Sequence, residues 1–423
     1  MKIVACSEVQ WHYVRTRKQQ ILGRFPSDWP ILFLQAYVRR RPSAWRPRRE
    51  GNVTYVTVPA FKSIPNPFLR RILDLGPVRA VLNAVLFVWV WILRAITGFG
   101  GRDTALYVSN IYYGRILPRL ARRVAIYDCN DNHLAFPNTP VWARGYFERV
   151  VRGVDAVVVS QSLLREEIEP LRRDGIVEIG NGVDFDLFDA AWHAPARPVE
   201  ICALPAPRIG YAGALAEWID LELVGEIAAA FPEASVVLVG PVVGAAVDPQ
   251  RHFADRPNVH WLGSKPHAQL PHYVAEMDVC LIPFRKTPLT RGVNPNKLYE
   301  YMALGKPVVS TDFSPFIHAY APHVKVGASR EAILDAVRAW LDAPGDPQPR
   351  RELARANSWA RSAARMVALL DALAAGRGPQ APGRGSAPGA AASGAARGTE
   401  AGQLRRGGAD PGGPGSATSA ARL

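Results

Sequence analysis

Residues 294–311 read Asn-Pro-Asn-Lys-Leu-Tyr-Glu-Tyr-Met-Ala-Leu-Gly-Lys-Pro-Val-Val-Ser-Thr and contain one complete helix-to-strand unit. The pattern predicts a helix over residues 297–304 and a strand over residues 307–311. Lys297 and Glu300 lie three residues apart near the start of this helix, so their side chains share one face. A lysine beside the positive end of a helix suits a diphosphate, and a carboxylate one turn later suits sugar or ribose hydroxyls.

Strand and helix signals alternate in the same way on both sides of this unit. Strands that alternate with helices form parallel, doubly wound sheets. The sequence therefore predicts an α/β fold with two Rossmann-like domains facing a cleft, where ligands bind. In the C-terminal half the predicted strands are 208–212, 235–240, 258–262 and 279–283, with helices at 221–231 and 270–275. In the N-terminal half they are 1–7, 31–37, 53–59, 105–109, 123–127, 156–160 and 176–179, with helical stretches at 11–24 and 161–171.

The domain boundary is predicted in a Pro- and Ala-rich break. The 423 residues exceed the roughly 250–300 residues that one hydrophobic core supports. We assign residues 1–188 to an N-terminal domain, 189–207 to a linker, and 208–373 to a C-terminal domain with a terminal helix. Residues 374–423 are dominated by Gly, Ala, Pro, Ser and Arg without periodicity, so we expect a disordered tail.

The formal net charge of +14 is concentrated near the two ends of the chain. Residues 1–52 hold 11 basic and 3 acidic side chains, and residues 374–423 hold 6 and 2. The remaining 321 residues carry 34 basic and 32 acidic groups and are nearly neutral. This distribution excludes a uniformly basic nucleic-acid-binding protein, and no nucleic-acid partner is expected.

The cysteines and the first residues indicate a reducing compartment. Four cysteines stand far apart and form neither a C-x-x-C pair nor a zinc pattern with the nine histidines: Cys6, Cys129, Cys202 and Cys280. We expect them to be reduced and structural. Residues 1–6 run into a strand without the apolar core of a secretory signal, so a cytoplasmic location is expected.

The block at residues 294–311 resembles the donor-binding signature of nucleotide-sugar glycosyltransferases with the GT-B fold, particularly those of bacterial surface and exported polysaccharides. The resemblance covers nearly the whole chain except the tail. It implies transfer of a sugar from a nucleotide diphosphate to a hydroxyl of a glycan or lipid-linked acceptor. It also implies that the second domain binds the donor and the first the acceptor. Further matching stretches are residues 181–184, 208–213, 237–241 and 258–263.

By this resemblance, Lys297 contacts the diphosphate, Glu300 contacts the ribose hydroxyls, and Asn296 belongs to the same donor site. Gly213 lets the backbone approach the phosphates because it has no side chain. Two alternatives stay open at this point. Lys297 and Glu300 could form an exposed ion pair, and Gly213 could mark a simple tight turn.

The sequence departs from the family at Arg291. Many related enzymes have a second carboxylate about eight residues before the equivalent of Glu300, and this chain has Arg291-Gly292 there. Arg291 could meet the donor's phosphates or an acidic sugar, or it could be a solvated loop charge.

Residues 127–133, Tyr-Asp-Cys-Asn-Asp-Asn-His, follow a predicted strand and therefore lie at the sheet edge that faces the cleft. An inverting transferase needs a carboxylate that removes the acceptor's hydroxyl proton, and Asp131 is the first candidate, with Asp128 second. His133 completes the candidate catalytic set. A retaining enzyme needs no such base, and Asp128 and Asp131 could also cap the next helix.

Trp11, Arg15 and Arg17 follow the first strand at the corresponding edge. Similar enzymes often have a Trp and an Arg there, so the resemblance implies that these residues shape the acceptor site. The alternative is a solvated helix face.

Residues 79–96 are the most apolar stretch of the chain. The uninterrupted core is shorter than the about 20 residues of a bilayer crossing. We expect a buried helix packed on the first sheet. The alternative is contact with a membrane that carries a lipid-linked acceptor, because the first domain is basic.

No metal or other cofactor is expected. Residues 184–186, Asp-Phe-Asp, match the D-x-D pattern of metal-dependent transferases with another fold, but they lie in a segment that resembles the GT-B linker. Enzymes with that fold generally stabilise the leaving diphosphate with lysine and helix ends. Two rival functions remain: a nucleotide-sugar epimerase of the same fold and a non-enzymatic basic binding protein.

Overall fold

A computed structural model describes residues 1–12, 15–38, 42–60, 66–136, 139–244 and 247–378 of the chain. Residues 379–423, most of the predicted tail, lie outside the described residues.

The first domain contains an eight-stranded sheet in the order β3-β4-β2-β1-β5-β6-β7-β8. Its strands are parallel except for β3, which pairs antiparallel with β4 at one edge. Both faces of the sheet are covered, so most strands are continuous apolar runs rather than alternating ones. The strands are β1 (Lys2–Ser7), β2 (Ile31–Ala36), β3 (Arg48–Glu50), β4 (Val53–Val58), β5 (Thr104–Val108), β6 (Val124–Cys129), β7 (Ala156–Val159) and β8 (Ile176–Glu178).

The second domain contains a six-stranded parallel sheet in the order β11-β10-β9-β12-β13-β14. This order reverses between β9 and β12, which is the Rossmann arrangement with its binding crevice at the switch point. The strands are β9 (Arg208–Ala212), β10 (Ser235–Val239), β11 (Val259–Trp261), β12 (Val279–Ile282), β13 (Val308–Thr311) and β14 (Val324–Gly327). The predicted α/β fold with two Rossmann-like domains is confirmed.

Helices cover both sheets and connect them. Those of the first half are α1 (Arg17–Leu22), α2 (Pro67–Leu73), α3 (Gly76–Ile96), α4 (Ala143–Gly153) and α5 (Arg165–Ile168). Those of the second half are α6 (Phe185–His193), α7 (Val199–Cys202), α8 (Leu221–Ala230), α9 (Pro249–His252), α10 (Leu270–Ala275), α11 (Pro288–Arg291), α12 (Asn296–Ala303), α13 (Arg330–Asp342), α14 (Gln348–Ala356) and α15 (Trp359–Ala374).

The helices near the predicted domain boundaries pack differently from what the sequence-based division implies. The predicted linker, residues 189–207, includes the end of α6 and all of α7, and Phe188, Ala191 and Ile201 are buried in the core of the second domain. The terminal helix α15 instead crosses back, and its apolar side is buried against the first sheet with Ile3 and Ile21. The apolar residues of each helix recur at helical spacing and form one apolar face. Each helix packs this face against a hydrophobic core.

The chain therefore passes between the domains twice, and the two crossings lie side by side. The Val183 N–H donates to Asn357 O at 3.1 Å, and the Trp359 N–H donates to Val183 O at 2.9 Å. A Cβ at Gly182 would lie 2.4 Å from Asn357 O, so only glycine fits at this contact.

Helix α3 corrects the expectation of a buried helix over residues 79–96. Its 21 residues make it long and apolar enough to cross a membrane by length and composition, and only 17% of its most apolar window is buried. Leu86, Val90 and Leu93 form one stripe that packs into the first domain. The outer face is exposed and apolar: Val81, Val85, Val88, Trp89, Trp91, Ile92 and Ile96. The periodicity of the sequence predicts where the helix lies, but it does not show whether the outer face of the helix is buried.

Candidate active site

A cavity of about 600 Å³ lies between the two domains, where the carboxyl ends of both sheets face each other. It brings together five of the predicted site residues: Arg17, Asp131, His133, Asn296 and Lys297. Other lining residues from the first domain are Glu8, Val9, Thr16, Lys18, Ser109, Asn110, Ile111, Tyr112, Asn130, Phe136, Thr139, Pro140 and Asn181. The second domain adds Tyr211, Ala214, Trp218, Phe284, Val293, Asn294 and Pro295.

The donor side of the cavity is the start of α12. Pro295 stands before the first turn, and Asn296 and Lys297 line the cavity. The Lys297 amine donates to Glu300 Oε2 at 3.0 Å, and the two side chains are 21% and 9% exposed. Asn296 Oδ1 is buried without a hydrogen-bond partner among the described residues. The helix end thus offers backbone N–H groups, a lysine and an unused amide oxygen to a ligand.

Gly213 lies behind this lysine, between β9 and the cavity. A Cβ there would lie 2.4 Å from the Tyr211 hydroxyl and 2.8 Å from Lys297 Cε. Tyr211 lines the cavity, and its hydroxyl donates to Ala214 O at 3.1 Å. A side chain at position 213 would therefore collide first with the Tyr211 ring and hydroxyl and then with the Lys297 stem, and the neighbouring Ala214 lines the cavity.

Arg291 lies outside the cavity lining. Its guanidinium donates to Glu166 of the first domain at 2.9 Å, and both side chains are half exposed. Its carbonyl accepts a hydrogen bond from the Ser314 hydroxyl at 2.7 Å. Arg291 therefore forms an exposed ion pair between the domains and does not line the cavity in which a phosphate would bind.

Arg17 and Asp128, predicted for separate roles, are bound to each other. The Arg17 Nε–H lies 3.0 Å from both carboxylate oxygens of Asp128, and the two side chains are 3% and 0% exposed. The Tyr107 hydroxyl also donates to Asp128. The remaining Arg17 contacts are Gly180 O at 2.9 Å and Asn181 Oδ1 at 3.0 Å. Since a buried charge needs a partner, this pair serves the fold, and Asp128 is not placed to act as a base.

Of the two predicted carboxylates, Asp131 is the one that lines the cavity. Its side chain is half buried, and the Asn130 amide donates to it. Burial raises the pKa of Asp131 to about 6; Lys18 opposes this shift, and the Glu8 carboxylate adds to it. A carboxylate with this pKa is charged at neutral pH and still basic enough to accept a proton in a reaction.

His133 also lines the cavity, as a neutral ring. Burial lowers its pKa to about 4, so the imidazole is uncharged at neutral pH. The Tyr127 hydroxyl and His133 Nδ1 are 2.7 Å apart, and the ring stacks on Phe136 with centroids 6.4 Å apart. His133 can therefore hydrogen-bond to a substrate hydroxyl and does not supply a positive charge there.

Trp11 and Arg15 lie near the site but outside the cavity lining. The Trp11 ring packs edge-on against Phe33 with centroids 5.2 Å apart, and its backbone N–H donates to Gln35 Oε1 at 3.0 Å. Arg15 is exposed just before α1, close enough to His267 of the second domain for their charges to interact. Trp11 packs against the first core because that contact buries its apolar ring.

Two charged residues that the sequence patterns did not single out also line the cavity, Glu8 and Lys18. The two side chains form an ion pair, and the Lys18 amine also donates to Asn130 Oδ1 at 2.9 Å. The Ser109 hydroxyl donates to Glu8 Oε2 at 2.8 Å. Glu8 directly follows β1, just as Asp131 follows β6, so its position at the end of a strand is a signal that could have identified it. Lys18 stands among other basic residues, and no signal distinguished it from them.

Across the part of the chain that the structure describes, no group of three or more His, Cys, Asp or Glu side chains could hold a metal ion. Asp184 of the D-x-D match forms an ion pair with Arg24 at 2.8 Å.

The architecture matches solved structures along nearly their entire length. Sucrose-phosphate synthase from Thermosynechococcus elongatus is 15% identical with a TM-score of 0.66, covering 89% of this chain and 99% of that one. Anabaena Alr3699/HepE, solved in complex with UDP, is 13% identical with a TM-score of 0.60, covering 88% of this chain and 100% of that one. The two facing sheets and the cavity between them define the GT-B class of glycosyltransferase folds.

Sequence matches lie in the second domain and over part of the chain. Residues 206–347 match the family described as glycosyl transferases group 1. Over 220 residues the chain is 27% identical to a Bacillus subtilis (strain 168) protein named as a teichuronic acid biosynthesis glycosyltransferase, TuaH. That match covers 50% of this chain and 55% of the relative, so the chain spans about half the length of the relative it matches. The GT-B resemblance of the sequence is confirmed.

Proposed function

We propose that this chain is a glycosyltransferase that moves a sugar from a nucleotide diphosphate sugar to a hydroxyl of a glycan or lipid-linked acceptor, in the synthesis of a surface polysaccharide. The observation that carries the proposal is the placement of Lys297 at the start of α12 opposite Asp131, both lining one cavity. The group 1 family match and the naming of TuaH support the class of reaction and product.

In the donor half, the start of α12 and Lys297 hold the diphosphate by charge-assisted hydrogen bonds. We assign the ribose hydroxyls to Glu300, which pairs with Lys297 one turn further along α12. As the bond to the sugar breaks, negative charge grows on the leaving diphosphate, and the lysine and helix end stabilise it. We propose that no metal is needed for this step. A rate unchanged by a chelating agent would support that proposal, and a rate restored only by added divalent metal would refute it.

In the acceptor half, Asp131 takes the proton of the acceptor hydroxyl as that oxygen attacks the anomeric carbon. His133 orients the same hydroxyl as a neutral hydrogen-bonding partner. This role for Asp131 belongs to an inverting transfer; a retaining transfer needs no such base, and there Asp131 and His133 would orient the acceptor hydroxyl.

The first test is a thermal-shift screen of the purified chain against UDP, GDP, ADP and common nucleotide sugars. A ligand at 100 times its dissociation constant adds roughly 2.7 kcal/mol of stability. A selective shift identifies the nucleotide, and the sugar form is then incubated with and without polysaccharide-lipid extract. Release of nucleotide that depends on acceptor supports the transferase. Conversion of the donor without acceptor would indicate the epimerase, and binding with an unchanged donor would indicate a binding protein.

We also propose that the first domain contacts the cytoplasmic face of the plasma membrane through α3. One stripe of α3 is packed into the domain, so its outer face can enter a lipid interface without unfolding the helix. Trp45 packs edge-on against Trp89 at 6.2 Å, and tryptophans favour the interface between water and lipid. Exposed arginines stand nearby at Arg46, Arg48 and Arg49, and these suit anionic lipids.

Vesicle co-sedimentation tests this surface. The chain should bind phosphatidylcholine vesicles that contain phosphatidylglycerol, bind pure phosphatidylcholine more weakly, and be released in part by salt. Trp91→Glu should abolish sedimentation, because it places a charge on the lipid-facing side. Val199→Glu, on an exposed apolar position of the second domain, is the matched control and should sediment as the wild type does. Equal binding of the wild type and Trp91→Glu would refute the proposed surface.

A further inference from the structure

The loop that leads into α12 is bonded to the first domain through two buried asparagines. The Asn181 side-chain amide donates to Asn294 O at 2.7 Å, and the Asn294 side-chain amide donates to Ser160 O at 2.9 Å. The two asparagines are 9% and 3% exposed. Ser160 directly follows β7 and Asn181 follows β8, so the loop is held from the carboxyl end of the first sheet.

The orientation of the Asn181 amide is fixed by Arg17. A guanidinium only donates hydrogen bonds, and that of Arg17 donates to Asn181 Oδ1 at 3.0 Å. The amide oxygen therefore faces Arg17, and the amide NH2 group faces the Asn294 carbonyl, which only accepts. Asn181 opens the stretch of residues 181–184 that resembles the GT-B pattern, and this contact gives that asparagine a role.

The start of α12 depends on these bonds because no side chain caps it. Its N-cap residue is Pro295, which has neither a side-chain oxygen nor a backbone N–H, and the described residues supply no other side-chain cap. The N–H groups of the first turn thus remain for a ligand. Asn294, the residue just before Pro295, carries both bonds to the first domain. A loop held at this point fixes where Lys297 and the helix end lie in the cavity.

We propose that Asn181 and Asn294 are positioning residues for the donor, through which the first domain holds the start of α12 in the geometry that binds the diphosphate. The inference rests on the proposed function, in which α12 and Lys297 bind the donor. Donor affinity then depends on a side chain of the domain that binds the acceptor. Asn181 acts through Asn294 and not on the donor itself, because its amide is occupied by Arg17 on one side and by Asn294 on the other.

The direct test is isothermal titration of the full chain carrying Asn181→Leu or Asn294→Leu, since leucine keeps the branched shape of asparagine and removes its hydrogen bonds. The titrant is UDP, or the nucleoside diphosphate with the base that gives the thermal shift. The loss of one neutral hydrogen bond should raise its dissociation constant about 3- to 10-fold. The double variant should raise it by less than the product of the two single effects, because either change already releases the loop.

The matched control is Glu166→Gln. It breaks the exposed ion pair with Arg291, which also joins the two domains but does not hold Asn294. Exposed ion pairs contribute little, so this variant should bind the nucleotide as the wild type does.

Two further readouts distinguish positioning from general support of the fold. Both leucine variants should raise the KM for the nucleotide sugar and leave the KM for the acceptor unchanged, because the released loop belongs to the donor domain. A residue that only supports the fold would reduce the amount of active protein and change neither KM. Hydrogen exchange of the intact chain should be faster at the amides of residues 293–299 in both variants and unchanged in β10.

The outcomes separate this inference from the proposed function. If the wild type binds a nucleotide and both leucine variants bind it within about twofold of the wild type, the inference alone is overturned. It is also overturned if the two single effects multiply in the double variant, since the asparagines then act separately. If Asn181→Leu does not fold, Asn294→Leu decides the question, because it leaves the bond between Arg17 and Asn181 intact. A wild type that transfers no sugar from any donor that it binds would instead overturn the proposed function.

Discussion

Replacing Lys297 with methionine tests the donor site most directly. Methionine is unbranched and of similar length, so it retains the packing of the lysine stem beside Gly213 and removes only the charged amine. In the wild type that amine lies 3.0 Å from Glu300 Oε2 and remains 21% exposed, so it can reach a ligand while paired. We therefore expect Lys297→Met to bind the donor nucleotide more weakly with little change in shape.

The size of the effect follows from the contact that is lost. A hydrogen bond to a charged group contributes about 1.5–3 kcal/mol, and each 1.4 kcal/mol is tenfold in affinity. The dissociation constant should rise by about 10- to 150-fold. Since the wild-type amine is shared with Glu300, the lower end of this range is expected.

Isothermal titration with the nucleotide that gives a thermal shift is the assay. The control is Lys286→Met, which removes an exposed amine paired with Asp312 outside the cavity and should leave the affinity unchanged. Melting curves of both variants check that the fold is intact. An affinity of Lys297→Met within about twofold of the wild type, less than 0.5 kcal/mol, would refute the assignment of this residue to the diphosphate.

Three further predictions concern the base, the buried ion pair and the domain crossing. Asp131→Asn should lower the transfer rate by about 10²- to 10⁴-fold. The wild-type rate should fall as pH drops through about 6, where Asp131 protonates, and the residual rate of the variant should not. Arg17→Met leaves Asp128 buried without its cation and should cost about 3–5 kcal/mol in urea unfolding, more than Asp128→Asn combined with Arg17→Met. Gly182→Ala places a Cβ 2.4 Å from Asn357 O and should lower the melting temperature, whereas Gly378→Ala, with open space around it, should not.

The alternation of apolar runs predicted both sheets, because strands covered on two faces must be apolar throughout. The predicted strand over residues 156–160 is observed as Ala156–Val159. Strand β14 was not predicted, because Val324–Gly327 is short and carries a lysine. The two helices in the predicted linker were missed because the Pro- and Ala-rich composition of that segment is typical of loops.

The candidate site was predicted less completely, because the role of each residue depends on which side chains are in contact in the folded chain. Arg17 and Asp128 are separated by 111 residues and were assigned to different roles, yet they neutralise each other. Lys297 and Glu300 are three residues apart on one helix, so their spacing predicted a shared face, and the ion pair given as the alternative is observed, although it is largely buried. Asp131 and Lys297 share a cavity only because two domains close over it, and no local pattern contains that information.

The paired crossings near Val183 and Asn357 limit how the cavity can open. Two backbone segments bonded side by side restrict the relative motion of the two domains more than a single crossing would. This restraint acts on the spacing of Lys297 and Asp131, which line the cavity from different domains. Residues 206–347, although they match one family, also lack part of the second domain's core, because Phe188, Ala191 and Ile201 lie before them in the chain.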